Sequence, residues 1–127
     1  MSTRCRVAVK NPDNTYHSIY IHYDGYPTND GPDGVGKTLV HHYTDPELVN
    51  EMISLGNASQ LGATLLQTCF YGRDRKEPGT DAILAESIHD LFAQAENCGA
   101  EWIYVFENNR WKYHHAQNDG TSWFMLK

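Results

Sequence analysis

The sequence is poor in several features that would fix its class at once. It has no apolar run of membrane-spanning length, and its start, Met-Ser-Thr-Arg-Cys-Arg, has no apolar signal-peptide core. A cytoplasmic chain without a membrane partner is expected. Its three cysteines, Cys5, Cys69 and Cys98, are odd in number and far apart, which argues against a disulfide framework and against a zinc knuckle. They read as reduced, small hydrophobes. The seven histidines show no His-x3-His spacing, and the adjacent pairs His41-His42 and His114-His115 diverge on a helix or a strand. No metal and no cofactor is expected. Basic residues are scarce: ten Lys and Arg against sixteen Asp and Glu give a formal net charge of -6. That balance argues against DNA or RNA as a partner, because such binding draws on counterion release at clustered Lys and Arg. With 127 residues, the chain (1–127) is expected to be one domain, short for a complete nucleotide-hydrolysing P-loop fold.

What is present reads as an α+β domain. Residues 5–10 and 16–23 alternate as two strands around the turn Asn11-Pro12-Asp13-Asn14, with Ile19 and Ile21 on one face and Tyr20 and His22 on the other. Residues 35–43 predict a short helix, and Thr44-Asp45-Pro46-Glu47 a capping box opening a second one that Gly56 stops. Residues 57–64 read as loop or frayed helix, 65–71 as a third strand, and 73–79 as an exposed loop too rich in turn formers for a helix. A brief strand at 82–85 precedes a helix capped by Ser87 and closed at Cys98-Gly99. The clearest signal is the hairpin of residues 102–106 and 111–115 around Asn108-Asn109, since asparagine tolerates the positive φ of a tight turn. The order favours a mainly antiparallel sheet built from N- and C-terminal hairpins, with helices packed on one face. The aromatic tail with Trp123 and Phe124 either folds back onto the sheet or marks a contact with another copy of the chain, a homo-oligomer.

Candidate chemistry gathers between residues 22 and 43. Gly31-Pro32-Asp33-Gly34-Val35-Gly36-Lys37-Thr38 satisfies the letter of the P-loop pattern. However, a long loop separates it from the preceding strand, Pro32 removes an amide donor and Asp33 puts negative charge where phosphate would lie. The nearest magnesium-holding acid after an apolar strand would be Glu107, in the hairpin. Nucleotide hydrolysis is therefore not expected, and no catalytic residue is assigned; Lys37 and Thr38 at the helix entry remain able to meet an anion. Tyr23-Asp24-Gly25-Tyr26-Pro27 offers stacking faces and an acceptor on a stiffened loop, or else a tight turn in which Asp24 bonds nearby amides. Arg73 and Arg75 add cations in an otherwise acidic chain, unless they merely pair with Asp74 and Glu77.

His22-Tyr23-Asp24-Gly25-Tyr26-Pro27, Gly34-Val35-Gly36-Lys37-Thr38-Leu39, Tyr43-Thr44-Asp45 and Tyr71-Gly72-Arg73-Asp74-Arg75 together resemble a family of small bacteriophage and prophage accessory proteins of largely unassigned function, over residues 4–113. In the family pattern the proline leads closely into Ser-Gly-Val-Gly-Lys-Thr and tryptophan often stands where Tyr23 is; here residues 28–33 lengthen the loop. The resemblance implies no catalytic residues. By analogy of class it implies a non-enzymatic phage protein in the host cytoplasm, an anti-defence sponge for a nucleotide-like or other phosphate-bearing small molecule. Tyr23, Asp24, Tyr26, Lys37, Thr38, Arg73 and Arg75 are the expected ligand-binding residues, and Arg73→Ala or Arg75→Ala is expected to weaken binding with folding almost untouched. The alternative is an acidic inhibitor of a host defence protein or other host enzyme.

Overall fold

The structure is a computed structural model and describes residues 3–27, 34–116 and 123–125. The first two strands, β1 (Cys5–Lys10) and β2 (Tyr16–Ile21), form the expected antiparallel hairpin, closed by Asn14 at φ 69° and by the Asn11 N–H donating to the Thr15 carbonyl at 2.7 Å. Helices α1 (Val35–His42) and α2 (Pro46–Ser54) follow, then the short strands β3 (Ala58–Gln60) and β4 (Cys69–Phe70). A single-turn helix α3 (Tyr71–Arg75), β5 (Ile83–Ala85) and α4 (Ile88–Asn97) lead to β6 (Trp102–Glu107), β7 (Arg110–His115) and β8 (Phe124–Met125). The eight strands among the described residues belong to one sheet of order β4-β3-β2-β1-β6-β7-β8, with β5 on the outer edge of β2 beside β3.

The α+β class and the predominance of antiparallel pairing are as the sequence predicts, and the β6–β7 hairpin turns on Asn108 and Asn109 at φ 53° and 60°. At the centre, however, β1 and β6 run parallel, Cys5 beside Trp102 and Val9 beside Phe106. The helices also do not all pack on one face. Cys5, Val7, Val9, Ile19, Ile21, Tyr104 and Phe106 bury against α1 and α2 through Val35, Leu39, Val49, Met52 and Ile53. Ala8, Ile103 and Val105 point the other way and bury against Leu91 and Ala95 of α4. The cause is legible in β6, Trp-Ile-Tyr-Val-Phe, whose unbroken apolar run leaves no face for water and so needs cover on both sides.

Local expectations fare unevenly. Ser87 caps α4 by accepting from the Asp90 N–H, and Gly56 ends α2 with φ 88°. The cap of α2 is Asp45, whose carboxylate accepts the Glu47 N–H at 3.0 Å, so the Thr44 capping box does not form: the cap lies one residue later, directly before Pro46. Residues 57–64 hold a strand, β3, and 65–67 a turn, which leaves only Cys69 and Phe70 of the expected third strand. The segment expected as loop opens with α3, because the Asp74 carboxylate accepts the Phe70 N–H at 2.8 Å and Lys76 closes the turn at φ 55°. Trp123 packs on Phe92 and His114 while Phe124 pairs with Tyr113, so the tail folds back onto the sheet. No helix among the described residues is long and apolar enough to cross a membrane.

Candidate functional site

After Ile21 the chain turns at Asp24, whose φ of 58° lies in the left-handed region that aspartate tolerates. Gly25 then passes through a gap that admits no side chain. Its N–H donates to the Thr3 carbonyl at 2.8 Å, its carbonyl accepts from the buried Tyr104 hydroxyl at 2.6 Å, and a Cβ there would lie 2.9 Å from that of Cys5. Gly34 and Gly36 have a similar reason: a Cβ on either would come within 2.6 Å of the Tyr26 ring or of Pro27 Cα.

This packing takes up two amides of the P-loop-like segment. The Val35 N–H donates to the Asp24 carbonyl at 2.7 Å and the Gly36 N–H to the Tyr26 carbonyl at 3.3 Å. Those amides, which a P-loop would turn towards phosphate, clasp the preceding loop instead. Gly31, Pro32 and Asp33, on which the sequence argument also rested, lie outside the described residues, as do residues 28–30. Glu107 sits at the far end of β6, five residues from Trp102 and hence about 17 Å along the strand from the end where residues 22–27 emerge. It is held there by Lys112 and, at 3.1 Å, by Lys10. Hydrogen bonding from Lys112 is the main cause that lowers its carboxyl pKa.

The sequence-predicted site residues fall into separate groups. Tyr26 and Asp24 belong to the clasp, with the Tyr26 hydroxyl 3.4 Å from the Asp24 carboxylate. Lys37 and Thr38 line a shallow depression of about 310 Å³ with His41 and His42, and the Thr38 hydroxyl donates back to the Gly34 carbonyl. Arg73 is drawn into the β3–β4 connection: one Nη donates to the Leu65 and Thr68 carbonyls, each at 2.9 Å, while Nε meets the Asp74 carboxylate at 3.0 Å. Hydrogen bonding between Arg73 and Asp74 raises the guanidinium pKa and lowers the carboxyl pKa. Arg73 is therefore a staple between segments, and the expectation that its removal leaves folding untouched does not survive this geometry.

Tyr23 and Arg75 are brought together with residues that the sequence reading had not assigned to a site. Arg75 places its guanidinium carbon over the Tyr71 ring, 5.4 Å from the centroid. Tyr23, 48% exposed, packs edge-on to the His22 ring. His22 Nδ1 and the Tyr20 hydroxyl lie 2.6 Å apart. Asn57 ties the strands beneath, accepting the Tyr20 N–H on its side chain and the Tyr71 N–H on its carbonyl. Burial raises the pKa of both Tyr20 and Tyr71, with Arg4 and Arg75 respectively opposing it. Both therefore remain neutral phenols at physiological pH. Tyr20, His22 and Tyr23 form one run of rings and Tyr71 with Arg75 a second group, the two joined through Asn57; together they offer aromatic faces, hydroxyl donors and a cation. The one sequence signal was the shared strand face of Tyr20 and His22; Tyr71 joins only because β3 and β4 dock on β2.

Among the described residues no three His, Cys, Asp or Glu side chains come together as metal ligands. No family model, curated protein or solved structure matches the chain.

Proposed function

We propose that the protein is a non-enzymatic binding protein that sequesters a phosphate-bearing small molecule, with an aromatic part of the ligand on Tyr23 and Tyr71 and its negative charge drawn by arginine. The observation that carries this reading is the Arg75 guanidinium over the Tyr71 ring, 5.4 Å from its centroid, a cation presented with a stacking surface, to which the half-exposed Tyr23 adds a second. The occupied amides of Val35 and Gly36 support binding over P-loop hydrolysis. The likeness to phage and prophage accessory proteins supplies the setting we assign to it: the host cytoplasm, with a nucleotide-like defence signal as ligand.

The test is calorimetry of the wild type against a panel of linear and cyclic nucleotides, together with mass spectrometry of small molecules released on denaturing protein purified from defence-active cells. Saturable binding, or a co-purified phosphate ester, is the expected result. Silence in both experiments refutes the reading and favours the second one, inhibition of a host protein. That alternative draws on the exposed apolar pair Phe124 and Met125 on the edge strand β8, 57% and 45% exposed.

A further inference from the structure

Arg4 and Arg6 stand two residues apart and so share the sheet face that α4 covers. Arg6 is 4% exposed, with Nε donating to the Ser18 hydroxyl at 2.9 Å, one Nη to the Ser18 carbonyl at 3.0 Å and the other to Cys98 Sγ at 3.7 Å. Its hydrogen bonds are thus met by neutral groups, which leave its charge unbalanced. Arg4 lies against Gly99, where a Cβ would come within 2.8 Å of its Nη1, and its Nε is buried without a hydrogen-bond partner. The left-handed Gly99, φ 73°, therefore serves both the end of α4 and the room for this side chain. Among the described residues no carboxylate reaches ion-pair distance of either guanidinium.

A buried charge without a partner is expensive, so the compensating charge matters. The C-terminus of α4, at Cys98, supplies about half an elementary negative charge. Two guanidinium groups carry two positive charges, which leaves a local surplus of about one and a half in a protein whose net charge is -6. A phosphodiester brings a single negative charge, whereas a phosphomonoester brings about 1.5 to 2 at neutral pH. Only the monoester matches the surplus.

Resting on the ligand class proposed above, we propose that Arg4, with Arg6 beneath it and the Tyr20–His22 pair beside it, is the seat of a terminal phosphomonoester on that ligand. The hydrogen bonding supports such a seat. When His22 Nδ1 carries the proton it donates to the Tyr20 oxygen across their 2.6 Å contact, and the Tyr20 O–H is released to turn towards the anion. Arg4 then supplies the charge-assisted bond and Tyr20 a neutral one, while Arg6 strengthens the field from below without touching the ligand.

The probes are phenyl phosphate, an aromatic ring bearing a monoester, and methyl phenyl phosphate, the corresponding diester. Each is titrated into wild type, Arg4→Gln, Arg4→Lys and Arg75→Ala, with circular dichroism verifying the fold of each variant. The expected result is that wild type prefers the monoester by about ten-fold or more, that Arg4→Gln abolishes the preference and that Arg4→Lys keeps part of it. If Arg4→Gln does not fold, Arg4→Met, which also removes the charge while keeping an unbranched stem, takes its place, and an undiminished preference in that variant refutes the seat. A preference unchanged in Arg4→Gln but lost in Arg75→Ala moves the phosphate to Arg75 and overturns this inference while the ligand reading stands. Wild type that binds neither ester also overturns it, whereas the ligand reading falls only if the nucleotide panel and the co-purification are silent too.

Discussion

Replacing Tyr104 by phenylalanine removes one oxygen and tests how the sheet holds the loop of residues 22–27. Tyr104 is fully buried on β6, and its hydroxyl donates to the Gly25 carbonyl at 2.6 Å. That single hydroxyl thus ties the loop before the P-loop-like segment to the central strand β6, and through that loop the Val35 and Gly36 amides of α1 that bond to it. Phenylalanine keeps the ring packing, so the loss is the hydrogen bond plus a buried carbonyl left unsatisfied, about 2 kcal/mol within a usual span of about 1 to 3. For 127 residues the unfolding entropy near the midpoint is about 0.27 kcal/mol/K, which converts this to a fall in Tm of about 7 °C. Thermal melts followed by circular dichroism measure it, and hydrogen exchange adds the local effect: the Gly25, Val35 and Gly36 amides should exchange faster. Tyr113→Phe, half-buried on the neighbouring strand, is the control and should stay within about 0.5 kcal/mol of wild type. A Tm for Tyr104→Phe within about 1 °C of wild type, with exchange unchanged, would show that the hydroxyl does not hold the loop.

Magnesium-dependent ATP or GTP turnover should be absent, and Lys37→Ala should change nothing in a phosphate-release assay; turnover lost in that variant would sink the clasp argument. Arg75→Ala should weaken ligand binding by about 1.5 to 3 kcal/mol in calorimetry, the scale of a hydrogen bond to a charged group. Its melting temperature should hold, whereas Arg73→Ala should lower the melting temperature measurably because the Leu65 and Thr68 carbonyls lose their donor. In alkali the protein should lose stability. Burial raises the pKa of Cys5 and Tyr104, so above about pH 9 the unfolded chain sheds protons that the folded one keeps, and each such group costs up to about 1.4 kcal/mol per pH unit. Urea titrations at pH 8 to 11 check this, and Tyr104→Phe should flatten the decline at its upper end.

The parts of this fold that a reader of the sequence can find are those whose cause is local. Asn108-Asn109 announces the β6–β7 turn because few other residues adopt positive φ twice in succession, and Ser87 announces α4 because its hydroxyl reaches an amide three residues on. β3 gives no such notice. Asn-Ala-Ser-Gln has neither β-branched nor large apolar residues, and it becomes a strand because Ile21 lies beside Ala58 while the His22 and Tyr23 amides donate to Ala58 and Ser59. The surroundings, not its own propensity, decide its conformation. The same division runs through the site. Lys37 and Arg73 draw the eye because each is a cation beside glycine, and the structure gives Arg73 a set of carbonyls to hold and α1 a loop to clasp. Arg4 and Arg6, by contrast, look in sequence like ordinary polar positions at the start of a strand. Their interest is that no carboxylate among the described residues comes to meet them, and this depends on what β2, β6 and the end of α4 place on that face. Whether a charge meets a counter-charge is a tertiary fact, set by neighbours that lie far apart in the sequence.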